Sequence, residues 1–163
     1  MSSVPEAGGF RRGVRLAIDW GAARIGVAAC DAEGLLAYPV ETVPARDVSA
    51  AYRRLRALVD EYEPAEIVMG LPLALDGTEA IAAGHVLQIA RQLAAELATP
   101  LRVVDERLTT AAATRYLTSK NTRQQRRFVD QAAATGILEG ALSYERNTGT
   151  PPGYLIEHME GEA

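Results

Sequence analysis

Residues 14–30 read VRLAIDWGAARIGVAAC. Two apolar runs, 14–20 and 24–30, flank the tight turn Gly21-Ala22-Ala23. Runs of that length bounded by turn residues predict two buried strands, and so short a join makes them antiparallel. Asp31-Ala32-Glu33-Gly34 is a hairpin turn ending in glycine, and 35–43 (LLAYPVETV) is a third strand. Pro39 has no N–H to give to a ladder, which places that strand at a sheet edge. One charge interrupts the end of the first run: Asp19 stands there among apolar neighbours.

Downstream the apolar period changes. Val48, Tyr52, Leu55, Val59 and Tyr62 recur at three and four, one stripe on a helix over about 47–63. Segment 66–70 (EIVMG) is a short buried strand, and 71–77 a loop broken by Pro72 and Asp76-Gly77. Ala82, Val86, Ile89, Leu93 and Leu97 mark a second helix, and 101–105 (LRVVD) is a fifth strand. Thr109 or Thr110 caps a helix running to about Leu117, and 119–124 is a polar loop. Val129, Ala132, Ala133, Gly136, Ile137 and Gly140 give a last helix whose small residues allow close packing. A strand–helix–strand crossover pairs its strands in parallel. The expected fold is therefore α/β: a mixed five-stranded sheet, three antiparallel strands plus two parallel, with helices on both faces. It occupies 14–146, between a disordered tail at 1–13 and a flexible Gly/Pro-rich tail at 147–163.

The chain has 163 residues, 48% hydrophobic and 23% charged, the balance of one globular domain with a sizeable core. A single cysteine, Cys30, excludes an internal disulfide and fits a reducing compartment. No apolar run reaches the roughly 20 residues that span a bilayer. Segment 1–13 lacks the apolar stretch of a secretory signal, so the expected location is the cytoplasm, with no membrane partner. The net charge of −4 is unevenly spread. The 23 residues between Glu106 and Asp130 contain no Asp or Glu but six bases: Arg107, Arg115, Lys120, Arg123, Arg126 and Arg127. On an otherwise acidic chain that segment reads as a phosphate-binding track, with nucleic acid as the partner. The bland alternative is a solvated helix start.

In open α/β sheets, sites form beyond the carboxyl ends of strands. Asp19 lies near the end of the first strand, Glu106 just beyond the fifth, and Asp130 near the start of the last helix. Clustered buried carboxylates repel one another unless cations neutralise them. An oxygen-only donor set suits Mg2+ or Mn2+. Cys30, His85 and His158 are too scattered for zinc. Carboxylate-held metal beside a basic track points to phosphodiester hydrolysis, in which two ions about 4 Å apart activate water and stabilise the leaving oxygen. Against this, an Asp at a strand end is commonly a turn former or helix cap. Asp105, beside Glu106, is either a further ligand or a partner of Arg24 or Arg107.

Four spaced motifs carry a family resemblance. Asp19-Trp20-Gly21-Ala22-Ala23-Arg24-Ile25-Gly26-Val27-Ala28, followed by Asp31, resembles the first motif of the YqgF/RuvX family. Gly70-Leu71-Pro72 with Asp76-Gly77 resembles its second, and Asp105-Glu106-Arg107-Leu108-Thr109-Thr110 its third. Val129-Asp130, then Ala132-Ala133 and Ile137-Leu138, resembles its C-terminal helix. The resemblance covers about Arg15 to Leu142. It implies an RNase H-like fold related to the Holliday-junction resolvase RuvC, and a nuclease that trims the 5′ end of pre-16S rRNA. The family's acidic triad falls on Asp19, Glu106 and Asp130, the three acids that topology had already brought together. The family prefers Ser where Cys30 stands and Lys where the basic loop here has mostly Arg. Phosphate binding tolerates that last exchange.

The candidate substrate-binding residues are Arg24, Arg107, Lys120, Arg123, Arg126 and Arg127. Precursor rRNA is the expected substrate, branched DNA the alternative, and the assembling ribosome a further partner. Junction resolution needs two symmetric cuts and so a dimer, leaving monomer or homodimer open. A phosphotransferase is disfavoured by the lack of a second domain and of a P-loop. A nucleic-acid-binding module without catalysis is the remaining class. Gly21 and Gly26 read as turn and close-packing glycines. Gly70-Leu71-Pro72 is either a strand stop or a phosphate-facing turn. Trp20, Cys30 and His85 read as a core residue, a small core residue and a surface residue.

Overall fold

Alternation along the first two strands splits the core into two layers. In β1 (Arg15–Trp20) Leu16 and Ile18 face one side and Ala17 the other. In β2 (Arg24–Cys30) Ile25, Val27 and Ala29 share the first side, Ala28 and Cys30 the second. The computed structural model describes residues 9–72, 77–106 and 123–156. Its further elements are β3 (Ala37–Pro44), α1 (Val48–Tyr62), β4 (Glu66–Leu71), α2 (Gly77–Glu96), β5 (Leu101–Asp105), α3 (Arg123–Thr148) and β6 (Tyr154–Leu155). One sheet runs β3-β2-β1-β4-β5-β6. β1–β2 and β2–β3 are antiparallel, while β1–β4 and β4–β5 are parallel, as the helical crossovers require. Pro39 sits on edge strand β3, opposite Ala28, where the register shifts.

Helices cover both faces. Leu55 and Leu58 of α1 with Ile89 and Leu93 of α2 pack on Ile18, Ile67 and Met69. On the opposite face Ala134, Ile137, Leu138, Ala141 and Leu142 of α3 pack on Ala17, Ala28, Val68 and Val104. That face of the sheet is lined by small side chains, so α3 lies close to the backbone beneath it.

α1 follows from its ends as much as from its stripe. The Asp47 carboxylate accepts the Ala50 N–H at 3.1 Å, and Glu63 turns left-handed to send its N–H to Val59 O. Asp47→Ala is expected to cost about 1 kcal/mol in a denaturant melt. The buried centre of α1 is Ala51, Leu55 and Leu58; Tyr52, Val59 and Tyr62 flank it, and Val48 is exposed. The expected stripe runs through the bulky residues and so misses the small Ala51.

Three expectations are corrected. The last helix begins at Arg123 and runs 26 residues, beyond the expected Val129–Gly140 stretch. The expected helix up to Leu117 and most of the loop after it lie outside the described residues. Within the segment expected to be a flexible tail, residues 154–156 are seated on the sheet: Tyr154 and Leu155 pair antiparallel with Val103 and Arg102, making a sixth strand, and Ile156 N–H bonds Leu101 O. Segment 9–13, expected to be tail, is likewise docked. Phe10 packs against the α3-side core, with the guanidinium groups of Arg15 and Arg146 over its ring at 4.7 and 4.6 Å.

A chain of buried charge explains this docking. Arg11 bonds both Glu66 and Glu145, Arg15 bonds Glu145, and Arg102 bonds Glu66 and the Pro152 carbonyl. Burial pushes the Glu66 and Glu145 carboxyls up, but the arginines outweigh it and hold both below the usual range. No described helix is long and apolar enough to cross a membrane.

Candidate active site

Register places the first acid. Asp19 stands opposite Gly26 across the antiparallel β1–β2 pair, while Ile18 pairs with Met69 on the parallel side. Asp19 is therefore flanked at one level of the sheet by Gly26 and by Gly70, and it shares the α3 face with Ala17. Both glycines are there for lack of room. A Cβ on Gly26 would lie 1.9 Å from the Asp130 carbonyl oxygen. A Cβ on Gly70 would lie 2.7 Å from Ile137 Cδ1 and 3.5 Å from Glu106 Cβ. The second acid, Glu106, follows β5 directly, so it emerges at the carboxyl end of that strand. The third, Asp130, is lowered over Gly26 by α3. Gln131 beside it donates to Thr42 Oγ1 at 3.1 Å, tying the same turn of α3 to β3.

The electrostatics match this convergence. Burial pushes the Asp19 carboxyl up to about 6, and the charges of Glu106 and Asp130 add to that rise. Coulomb repulsion reaches farther than coordination does. Among the described residues no three His, Cys, Asp or Glu side chains are gathered tightly enough to hold an ion. Asp130 is instead engaged by Arg24, whose Nε donates to Oδ2 at 2.6 Å. The sequence offered Asp105 as a partner for Arg24; the ion pair formed is with Asp130.

The other sequence-predicted residues divide cleanly. Arg123, Arg126 and Arg127 fall on the opening turns of α3, ahead of Asp130 on the same helix. Arg107 and Lys120 lie outside the described residues. Gly21 makes the expected turn, its N–H bonding Arg24 O at 3.0 Å. Trp20 packs on Tyr52, ring centroids 5.9 Å apart, against the α1 side of the core. Cys30 is buried and His85 exposed, as expected. Gly70 proves to be a close-packing glycine beneath Ile137 and Glu106, a role that neither reading of the Gly-Leu-Pro turn included. Its signal was its place one strand over from Asp19.

The sequence pattern of the RuvX family, described as Holliday junction resolvase, matches residues 13–144. The chain belongs to the RuvX family. A RuvX-family relative from Streptomyces coelicolor, named as a pre-16S rRNA nuclease, is 54% identical over 151 residues, covering 91% of this chain and 90% of its own. Another so named, from Cutibacterium acnes, is 53% identical over 137 residues, covering 82% and 84%. Among solved structures, Thermus thermophilus RuvC in complex with a Holliday junction substrate superposes with a TM-score of 0.61 at 18% identity, covering 86% of this chain and 99% of that one. The RuvX sheet with its two helical layers is thus the RuvC-like, RNase H-like fold expected from the motifs, with β6 as a sixth strand.

Proposed function

We propose that this RuvX-family protein is a nuclease that hydrolyses phosphodiester bonds in precursor 16S rRNA, in the cytoplasm. Asp19, Glu106 and Asp130 form its acidic triad, and the basic run from Arg107 to Arg127 carries the strand. The observation that supports this most is Asp19: a half-buried carboxyl pushed up to about 6 by burial first and then by the charges of Glu106, just beyond β5, and Asp130, on α3. A structural aspartate has no reason to sit there, because the folded chain would be more stable without it. The donor set is oxygen only and anionic, which fits Mg2+ or Mn2+ and not a soft metal. When bound, such an ion supplies Lewis-acid activation of water and stabilisation of the departing oxygen. Asp19, Glu106 and Asp130 would hold it, with Arg24 and the basic run of the sequence taking the phosphates.

The names of the relatives favour RNA; the family description and the RuvC likeness favour a second reading, resolution of four-way DNA junctions. One assay separates them. The wild-type protein is incubated with a labelled precursor 5′ fragment or with a four-way junction, in Mg2+, Mn2+ or EDTA. Metal-dependent cutting of the RNA is expected. Paired symmetric nicks in the junction, with a dimer in sedimentation, would carry the second reading instead. Binding of both with cutting of neither would leave a non-catalytic module and overturn the proposal.

A further inference from the structure

One of the three acids, Asp130, already has a cation on it. Arg24 opens β2, and its bond to Asp130 is short and charge-assisted. Its side chain is 42% exposed and that of Asp130 19%, so the pair is open to solvent on the arginine's part. The backbone beneath it is fixed: Gly21 N–H bonds Arg24 O, and Ala45 N–H bonds Ala23 O. Any movement of the guanidinium is therefore a swing of its own side chain. An arginine fork fits a phosphate as well as a carboxylate.

The engaged atom matters. A divalent ion that coordinates Asp130 competes with the guanidinium for carboxylate lone pairs, and the two cations repel at that distance. We propose that Arg24 is the resident counter-cation of Asp130: it holds that carboxylate in the metal-free protein, and, were Asp130 to serve as a divalent-ion ligand, the guanidinium would be released to take a phosphate oxygen of the substrate strand. This rests on the nuclease reading and adds an order of events to it. Without nucleic acid, Arg24 opposes metal binding. With metal in place, it favours the strand. Metal and strand are then coupled through one side chain, and the coupling is reciprocal.

The test measures Mn2+ affinity by calorimetry and by the loss of free-Mn2+ paramagnetic signal, with no nucleic acid present. Wild type, Arg24→Gln, Asp130→Asn, the double variant and Asp19→Asn are compared at a pH where Asp19 is ionised. Thermal melts check folding, and Arg24 is exposed enough for the exchange to be tolerated. Arg24→Gln is expected to bind Mn2+ about fivefold more tightly than wild type, the size of a half-exposed ion pair. The gain should vanish in the Asp130→Asn background, because the competition runs through that carboxylate. In the presence of Mn2+, Arg24→Gln should bind a catalytically blocked RNA fragment more weakly than wild type. Unchanged or weaker Mn2+ binding by Arg24→Gln overturns the inference. So does a gain that persists unchanged without Asp130, since a diffuse positive field would produce that. Asp19→Asn separates the two levels: if it leaves Mn2+ affinity untouched, the triad reading itself is wrong, whatever Arg24 does.

Discussion

Asp19→Asn is expected to lower phosphodiester cleavage by about a thousandfold or more, because a metal site contributes several kcal/mol of transition-state stabilisation. Nucleic-acid binding should survive, since the substitution leaves every base of the basic run in place. The same substitution should make the metal-free protein more stable, and that second effect is diagnostic. The Asp19 carboxyl titrates near 6 in the folded chain against 3.8 unfolded, first through burial and then through Glu106 and Asp130. The folded state thus holds this proton more tightly than the unfolded chain. Its contribution is neutral at low pH, turns unfavourable as pH rises past the unfolded value, and reaches its full cost above about 6. Two pH units correspond to about 3 kcal/mol. The metal-free Asp19→Asn variant should therefore melt higher than wild type at neutral pH, with the advantage fading towards about pH 4. Added Mn2+ should raise the wild-type melting temperature and leave the variant where it was. Metal binding by the wild type should weaken on acidification through the Asp19 midpoint. A variant that melts lower than wild type at every pH would make Asp19 a structural residue.

Gly26→Ala is expected to be nearly as damaging without touching an acid. The added Cβ would meet the Asp130 carbonyl oxygen at 1.9 Å and its carbon at 2.4 Å. Those are backbone atoms of a helix, with no flexible side-chain end to turn aside. The start of α3 must lift by about an ångström, or β2 must sink into the apolar layer below it. Lifting carries Asp130 away from Asp19, and a misplacement of about 1 Å at a catalytic group costs on the order of a hundredfold in rate. Overpacking of this kind also costs about 1–3 kcal/mol of stability. The prediction is a folded, destabilised protein with weakened Mn2+ binding and roughly hundredfold slower cleavage. Native melting and a native rate in the Gly26→Ala variant would show that α3 does not sit this close to β2.

The strands are readable because each is an apolar run bounded by turn residues, and Asp19 and Glu106 because each stands where such a run ends, Asp130 because it closes a stretch without acids. Asp19 is conspicuous as one charge in a run of residues that otherwise belong in a core. What escapes a reading of the sequence is set by partners far along the chain. Arg11 looks like tail from its neighbours; its bonds are to Glu66 and Glu145, 55 and 134 residues away. β6 is two residues long between glycine, proline and polar neighbours, too short for any period. The pairing of Arg24 with Asp130 is hidden for a similar reason. A candidate phosphate ligand and a candidate metal ligand are each recognisable singly, and only the descent of α3 onto Gly26 brings them together.

The chain of charge at the far end of the sheet bears on how the protein can be shortened. The family match spans 13–144, yet Arg11 precedes it, and Glu145 and the Pro152 carbonyl follow it. A chain trimmed to the shared region keeps Arg15 and Arg102, both buried, and removes Glu145 from the first and the Pro152 carbonyl from the second. Glu66 loses Arg11 in the same cut. Trimming to the matched segment should therefore weaken the fold, because residues on either side of it, Arg11, Glu145 and Pro152, fasten one another through Glu66, Arg15 and Arg102.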